Sequence, residues 1–344
     1  MFNTKYLVTA IGIAASLIGC SSVNRSNIAQ AQSKPKVVAS HNVICDLVET
    51  IALDTVDLTC LIKANQDPHT YSPTPSDLQA IESAQLVLYG GYQLEPRIAS
   101  LLEATSEELP KIALYEQVVS EPIMAEHEHS EHGHSEEESE QEHSEHGHSE
   151  EESEQEHSEE ELEPDPHVWH SIENTVAMVE FLESTLLQLN PQQAEVYSTN
   201  STALTKQLQQ LEAWVKDRIA TIPEGQRVLV TTHESLNYYV RSYNLEDYLT
   251  LQGLSAESSP TASDVKNLAT EIAQTGVPTI FVESTKSDRV INNVARAANV
   301  ELSESDLYVD GLGETENYTE MMSHNTCAIV SGLGGECEPF INEQ

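Results

Sequence analysis

The chain has 344 residues, which is enough for two lobes that each bury a core. Its formal net charge of −41 comes from 57 Asp and Glu residues against 16 Lys and Arg residues. So acidic a chain lacks the basic surface that nucleic-acid binding requires, and anionic lipid headgroups repel it. We therefore exclude nucleic-acid binding and expect that any membrane attachment is covalent.

Residues 1–19 are predicted to be a lipoprotein signal peptide. A short apolar run follows Lys5, has signal-peptide length and is too short to span a bilayer comfortably. The run ends in LIGC (residues 17–20), which resembles the bacterial lipobox and implies cleavage before Cys20 and lipidation of its thiol. A simple secretory signal is the alternative, and a cysteine directly after a small glycine disfavours it. Residues 20–35 are polar and predict a flexible tether.

The other four cysteines would enter an oxidising compartment after export, where disulfides form. Four cysteines allow three pairings, and the sequence alone does not choose among them. We favour two local pairs. Cys327 and Cys337 are close together near the C-terminus, and Cys45 and Cys60 lie on consecutive predicted elements. Zinc ligation by thiolates is disfavoured because the sequence contains no Cys-x-x-Cys.

Residues 36–190 alternate strands with helices, which predicts an N-terminal lobe with a parallel sheet. Strands are expected over residues 36–40, 56–62, 85–89 and 111–119, and helices over residues 43–52 and 96–104. A further helix starts after Thr74 as N-cap, with Pro75 in its first position and Asp77 as the capping-box acid. His69 therefore lies on a turn-rich loop between a strand and the start of a helix.

An acidic tract of residues 126–161 interrupts this lobe. Residues 128–141 (EHSEHGHSEEESEQ) recur unchanged as residues 142–155, and the tract has 17 carboxylates and no Lys or Arg. Because it has almost no apolar surface to bury, we expect it to be disordered. A solvated linker expanded by repeat slippage is the alternative, which we disfavour because the tract leads directly to the Pro-flanked His167. Imidazoles among carboxylates suit zinc, nickel and copper, and weak binding is expected at His127, His129, His132, His134, His143, His146, His148 and His157.

Two long helices are predicted after the tract. Residues 172–189 carry apolar side chains at steps of three and four. Asn190 is then expected to cap a second helix, with Pro191 in its first position and Gln193 in the reciprocal capping position. This helix covers residues 191–222, and about thirty helical residues span roughly 45 Å. Its length predicts a rigid strut that links two lobes.

Residues 223–344 repeat the alternation and predict a C-terminal lobe. Strands are expected over residues 228–232, 248–251, 277–282 and 307–309. Helices are expected over residues 234–243, 261–276, 288–298 and 317–332. Thr261 and Asn317 provide capping signals for two of these helices. His233 and Asp310 each follow a predicted strand directly.

Four residues could therefore meet as metal ligands, because the ends of strands in open α/β sheets face a ligand crevice. They are His69, His167, His233 and Asp310. Three imidazoles and a carboxylate give a tetrahedral zinc site with nitrogen bonds of about 2.0–2.1 Å. Singly, each histidine has the alternative of a hydrogen-bonded turn residue, and Asp310 of a turn start. Together, and beside a histidine-rich tract, the four favour a metal site.

Four segments resemble the zinc- and manganese-binding solute-binding proteins of ABC importers (cluster A-I), and most closely the high-affinity zinc-binding lipoproteins of the ZnuA type. The resemblance covers about residues 36–332. Its segments are DPHTY (67–71) with PTPSDL (73–78), DPHVW (165–169), THESLNY (232–238) and FVES (281–284).

The resemblance implies an α/β fold of two lobes, each with a mostly parallel sheet flanked by helices, joined by one long rigid helix. It implies a metal site in the cleft between the lobes and places the ligands on His69, His167, His233 and Asp310. It also implies a monomer outside the cytoplasm, anchored through Cys20, that serves an ABC permease and its ATPase.

The third ligand bears on the choice of metal. Manganese members of the family carry a carboxylate there, whereas this chain has His233, and imidazole favours Zn²⁺ over Mn²⁺. Glu234 is adjacent, so an alignment shift of one residue would exchange the ligand type. Of the other histidines, we expect packing or a backbone hydrogen bond for His41 and a structural role for His324. His170, where the family commonly has Leu, is expected to be a spare ligand or a surface residue.

Three functions are compatible with these features. The first is a binding protein that captures zinc and delivers it to a permease. The second, a metalloenzyme, is disfavoured because four protein ligands leave no open position for water and no general base is placed beside them. The third is an extracellular zinc buffer or adhesin in which the tract is the active part. We favour the first, with the tract as a weak metal collector.

Overall fold

The computed structural model describes Met1 and residues 33–126, 162–255 and 259–342. The signal peptide with Cys20, most of the tether and the eight tract histidines therefore lie outside the described residues. Residues 34–344 belong to one compact unit. Within the described ranges, no helix has the length and apolar character needed to cross a membrane.

The N-terminal lobe is built on a four-stranded parallel sheet with the order β2-β1-β3-β4. Its strands are β1 (Lys36–Ala39), β2 (Asp57–Cys60), β3 (Leu86–Tyr89) and β4 (Lys111–Ala113). The helices between and after them are α1 (Asn42–Ala52), α2 (Pro75–Ser83), α3 (Pro96–Glu103) and α4 (Leu114–Val118). Val38 pairs with Thr59 on one side and with Val87 on the other. The predicted capping box of α2 is present, with Asp77 and Thr74 bonded reciprocally.

The strand predicted over residues 111–119 is wrong in its second half, because the chain turns into α4 after Ala113. Short apolar runs do not by themselves distinguish a strand from a buried helical turn. Here the helical turn buries Leu114 and Tyr115, and the Tyr115 amide donates to the Gly90 carbonyl at 3.0 Å.

An antiparallel hairpin that the sequence analysis did not predict closes the base of the acidic tract. It consists of β5 (Met124–Glu126) and β6 (Leu162–Pro164). Glu126 pairs with Leu162, so the two ends of the tract lie side by side. Glu126 itself, the predicted first residue of the tract, belongs to the hairpin.

The C-terminal lobe also contains parallel strand pairs. Its strands are β7 (Val228–His233), β8 (Asp247–Gln252), β9 (Thr279–Ile280) and β10 (Glu301–Leu302), and its helices are α7 (Asn237–Tyr243), α8 (Ala262–Thr275), α9 (Asp288–Ala298) and α10 (Tyr318–Gly332). β7 pairs with β8 and β9 pairs with β10, and the Phe281 amide links the two pairs by donating to the Val230 carbonyl at 2.9 Å. The strand predicted over residues 307–309 is reduced to one bridge between Leu307 and Glu283.

Two predicted helix starts are displaced. α7 begins at Asn237 rather than at residue 234, because the Glu234 amide is taken by the Gly253 carbonyl and the Leu236 amide by the Tyr248 hydroxyl. Asn190 does not cap a helix with its side chain. It ends α5 (Ile172–Leu189), and a 3₁₀ turn over Pro191–Gln193 follows.

The long helix α6 (Ala194–Ile219) links the two lobes. Its 26 residues span about 39 Å. Leu204, Leu208 and Leu211 lie along its buried side, where α6 packs against α1 of the N-terminal lobe and α10 of the C-terminal lobe. Full burial of a leucine side chain contributes about 1.5–3 kcal/mol, so this stripe holds α6 firmly against both lobes.

Both favoured cysteine pairs form disulfides. Cys45 in α1 is bonded to Cys60 at the end of β2, and Cys327 in α10 is bonded to Cys337 near the C-terminus. Each disulfide closes a short loop, and such a loop typically contributes about 2–4 kcal/mol of stability. The Cys45–Cys60 bond ties α1 to the strand that precedes His69.

Candidate metal centre

The four predicted ligands come from both lobes and converge in one buried place. His69 lies on the loop between β2 and α2, and His167 lies just before the 3₁₀ turn Val168–His170. His233 is the last residue of β7, and Asp310 directly follows Val309. None of the four side chains is more than 3% exposed.

The four ligand atoms all lie within 4.8 Å of one another. Asp310 Oδ1 lies 3.5 Å from Nε2 of His69 and 3.6 Å from Nε2 of His167. It lies 3.3 Å from Nε2 of His233, and the His69 and His167 Nε2 atoms are 3.2 Å apart. A tetrahedron with zinc bonds of about 2.0–2.1 Å has edges of about 3.3–3.4 Å. These separations therefore fit one four-coordinate metal ion.

Two of the imidazoles are oriented by carboxylates on their far side. The His167 Nδ1 atom is 2.8 Å from Asp165 Oδ1, and the His233 Nδ1 atom bonds Glu283 Oε2. When Nδ1–H donates to a carboxylate, the proton stays on Nδ1 and the Nε2 lone pair is free to bind a metal. Glu283 is held in turn by the backbone amides of Thr232 and His233 at 2.9 Å.

Two buried atoms at the centre of the cluster lack a hydrogen-bond partner. They are His233 Nε2 and Asp310 Oδ1, which lie 3.3 Å apart. An unpaired buried polar atom costs about 1–3 kcal/mol, and more when it is charged. A cation bound between the two atoms would satisfy both, so the residues present fit a metal ion.

The electrostatic environment also favours a cation. Burial raises the pKa of Asp310, but His233 and Lys286 outweigh it and hold that pKa well below the usual range, so the carboxylate is charged. Burial lowers the pKa of His233, but Glu283 and Asp310 raise it more, to about 9. A proton on His233 therefore competes with a metal for the same Nε2 position. For His69, burial lowers the pKa and favours the neutral imidazole that a metal needs.

The neighbouring Glu234 is not part of the cluster. Its Oε1 atom accepts a hydrogen bond from the Asn237 amide group at 2.9 Å. In the structure the imidazole of His233, and not the carboxylate of Glu234, faces His69 and His167.

The remaining histidines of the described residues have structural partners. His41 bonds the Tyr115 hydroxyl through Nδ1 at 2.7 Å and the Asp310 carbonyl through Nε2 at 3.0 Å, which confirms the expected backbone hydrogen bond. His324 donates to the Asp306 carbonyl at 2.8 Å, as expected for a structural residue.

The expectation for His170 was wrong in both its forms. The side chain is fully buried and its Nε2 atom donates to the Val309 carbonyl at 2.8 Å, so it is neither a spare ligand nor a surface residue. Burial lowers its pKa to about 3, so the imidazole stays neutral. A leucine at this position could not bond the carbonyl of the residue before Asp310.

Sequence reasoning did not find the residues that support the ligands. Asp165 and Glu283 lie inside the recognised motifs. An acidic residue close to a histidine or at the end of a strand is the sequence signal that could have identified them. Lys286 was not predicted at all. Its ammonium group lies 3.2 Å from Asp310 Oδ2, and no spacing in the sequence indicates that contact.

The chain is similar to known metal-binding proteins. The model of the family described as the periplasmic component A of zinc-uptake complexes (ZnuA) matches residues 37–332. The zinc-binding protein TroA of Treponema pallidum is 29% identical over 334 residues, which cover 95% of this chain and 96% of TroA. The manganese-binding lipoprotein MntA of Halalkalibacterium halodurans is 26% identical over 333 residues, which cover 96% of this chain and 97% of MntA.

The fold is shared with solved structures. The structure of the periplasmic zinc-binding protein TroA from Treponema pallidum superposes with a TM-score of 0.73 at 27% identity, and the match covers 88% of this chain and 99% of that one. This similarity confirms the predicted α/β architecture of two lobes and a long joining helix. The relatives are named for zinc and for manganese, so their names do not decide the metal.

The hydrogen bond between Glu283 and His233 leads to a testable prediction about metal affinity. Changing Glu283→Gln keeps the shape of the side chain and removes its charge, so Nδ1 of His233 loses its carboxylate partner. We expect metal affinity to fall about 10- to 100-fold, the loss typical of altered outer-shell partners, as measured by competition with a zinc chelator. The matched control is Glu234→Gln, whose carboxylate bonds Asn237. An equal loss in that control would contradict the role assigned to Glu283.

Proposed function

Because this chain belongs to the family of the periplasmic component A of zinc-uptake complexes, whose members are solute-binding proteins and not enzymes, we propose that it captures Zn²⁺ outside the cytoplasm and delivers it to an ABC permease and its ATPase. Zinc is the cargo. The ligands would be His69, His167, His233 and Asp310, two from each lobe.

The set of donor atoms is the observation that supports zinc as the metal. Three imidazole nitrogens and one carboxylate oxygen suit zinc, whereas Mn²⁺ prefers carboxylate, carbonyl and water oxygens in octahedral geometry. The separations of 3.2–3.6 Å between ligand atoms fit four short bonds. A manganese-binding member of the same family is the second candidate, and the relatives named for manganese support it.

The acidic tract is assigned a supporting role as a weak collector of metal. Hairpin β5–β6 brings its two ends together, and only Asp165 and Pro166 separate β6 from His167. Tract imidazoles would thus hold zinc briefly near the site and raise its local concentration. The composition of the tract predicts disorder, so each metal bound there is expected to order several residues, at roughly 1–2 kcal/mol apiece, and to bind more weakly than in a preformed site. An extracellular zinc buffer or adhesin would instead depend on the tract for its main activity.

Attachment to the membrane is proposed to occur through Cys20. The lipobox-like sequence at residues 17–20 supports it, as do relatives that are named lipoproteins. The protein would then act as a lipid-anchored monomer on the extracytoplasmic side of the membrane.

Alanine substitutions test the ligand set. Each of His69→Ala, His167→Ala and His233→Ala removes one of four bonds, so we expect at least about a 100-fold loss of zinc affinity, more than an outer-shell change causes. Asp310→Ala is expected to lose less, because water can occupy a carboxylate position. The measurement is chelator competition, with one tight zinc per parent chain. Parent-like zinc binding by His233→Ala together with a loss in Glu234→Ala would refute the assignment of His233.

Exchange of the third ligand tests the choice of metal. His233→Glu replaces an imidazole by a carboxylate and is expected to shift preference from zinc towards manganese. The ratio of the two affinities, measured by competition in the same buffer, reports this shift. A parent that already binds Mn²⁺ more tightly than Zn²⁺ would favour the manganese alternative.

Replacement of the anchoring cysteine tests membrane attachment. Cys20→Ala is expected to yield unprocessed or released protein, whereas the parent stays in the membrane fraction. Intact-mass measurement of the parent from native membranes should show a lipid-modified N-terminus at Cys20. An unmodified Cys20 in that sample would contradict the anchor.

Deletion of the tract, with residues 127–161 replaced by a short Gly-Ser turn that keeps hairpin β5–β6 closed, tests the role of the tract. We expect one tight zinc to remain, several weak zinc ions to be lost, and uptake to fall only when zinc is scarce. A second variant, with the eight tract histidines replaced by glutamine, keeps length and acidity and should lose the weak sites as well, which separates the imidazoles from the carboxylates. Loss of the tight site upon deletion would show that the tract supplies a true ligand.

A further inference from the structure

The two carboxylate oxygens of Asp310 have different surroundings. Oδ1 faces the three imidazoles at 3.3–3.6 Å and has no hydrogen-bond partner. Oδ2 accepts a hydrogen bond from the Thr285 hydroxyl and lies 3.2 Å from the Lys286 ammonium group. The carboxylate thus presents one oxygen to the metal position and one to a pair of donors.

Lys286 is itself fixed in place. Its side chain is 9% exposed, and its ammonium group donates to Asp67 Oδ2 at 2.7 Å. Asp67 belongs to the N-terminal lobe, and its other oxygen accepts from the His69 amide at 2.9 Å. Lys286 therefore bridges a carboxylate of one lobe and the ligand Asp310 of the other.

The backbone of Asp310 is held as firmly as its side chain. Its carbonyl is bonded by His41, and the Leu312 amide two residues later donates to Asn42 Oδ1 at 3.1 Å. Gly311 between them has φ of +150°, and a Cβ there would meet Asn42 Oδ1 at 2.5 Å. Two hydrogen bonds thus tie the main chain around Asp310 to the start of α1, and a side chain at position 311 would not fit there.

We propose that Lys286 and Thr285 confine Asp310 to coordination through a single oxygen, and that this confinement makes the site select a four-coordinate metal over a six-coordinate one. The inference rests on the proposed function, because it concerns the same metal position. Lys286 and Thr285 act through Asp310 and are positioning residues; neither is a ligand.

The chemical reason lies in the number of donors. Three imidazoles and one carboxylate oxygen complete the tetrahedral shell that Zn²⁺ prefers. Mn²⁺ requires more oxygen donors, and the nearest additional one is Asp310 Oδ2. To reach the metal, Oδ2 must leave both Thr285 and Lys286, and the buried ammonium group then loses one of its two carboxylates. That loss opposes manganese and leaves zinc unaffected.

The test combines Lys286→Met, which keeps an unbranched side chain one atom shorter and without charge, with Thr285→Val, which keeps the shape without the hydroxyl. We expect the ratio of Mn²⁺ to Zn²⁺ affinity to rise about 10- to 100-fold in the double variant, the size typical of outer-shell changes. Lys286→Arg, which retains charge and donors, should preserve the parent ratio. Lys63→Met, which removes an exposed ammonium group whose one described contact is the Cys60 carbonyl, is the matched control.

A spectroscopic readout distinguishes this effect from a general disturbance. Co²⁺ bound to the parent should show the intense visible absorption of a tetrahedral ion, and the double variant should lose most of that intensity as Oδ2 joins the shell. Equal changes in Zn²⁺ and Mn²⁺ affinity with an unchanged Co²⁺ spectrum would overturn the proposal and assign Lys286 a purely electrostatic effect. A parent that binds no zinc tightly would refute the proposed function itself, which is a separate outcome.

Discussion

The site depends on one requirement, that buried polar atoms find partners. Asp310 Oδ1 and His233 Nε2 come together in a buried place, and among the described residues no donor bonds either atom. Asp165 and Glu283 bond Nδ1 of His167 and His233, and Nε2 of both rings faces that carboxylate oxygen. Without a metal, a proton on His233 competes for the same position. A divalent cation resolves the conflict because it accepts lone pairs from all four side chains at once.

The need for partners at the metal position also explains why the site requires both lobes. Each lobe supplies half of the donors, so the relative placement of the lobes determines whether the tetrahedron closes. Helix α6 packs against α1 of the N-terminal lobe and α10 of the C-terminal lobe, and this packing holds the two lobes in place. Close to the metal position, His41 and Asn42 at the start of α1 in the N-terminal lobe bond the segment of residues 310–312 in the C-terminal lobe. Opening the site must break these hydrogen bonds and the Lys286–Asp67 ion pair.

The sequence was informative where a local rule determines structure. The capping box at Thr74 and the three-four spacing of α5 are local signals, and the structure has both elements where the pattern predicted them. Helix α6 is also present, but it covers residues 194–219 rather than 191–222. The strands predicted over residues 277–282 and 307–309 were too long, because their pairing ends where the sheet partners end and not where the apolar run ends. The prediction of a strand after Ala113 was wrong because burial of Tyr115 is compatible with either a strand or a helical turn.

For the metal site, too, local sequence signals were informative and contacts between distant residues were not predicted. Residue types at the recognised motifs predicted which four side chains converge, because each lies in a loop or at the end of a strand. They did not predict how those side chains are oriented. His170 looked like a further ligand in sequence, yet its ring bonds the Val309 carbonyl and so helps to position Asp310. Lys286 has no motif, because its partners Asp67 and Asp310 lie 219 and 24 positions away and only the folded chain brings them together. Which side chains converge could therefore be predicted from the sequence, whereas the surroundings of each carboxylate oxygen follow from contacts made across the lobes.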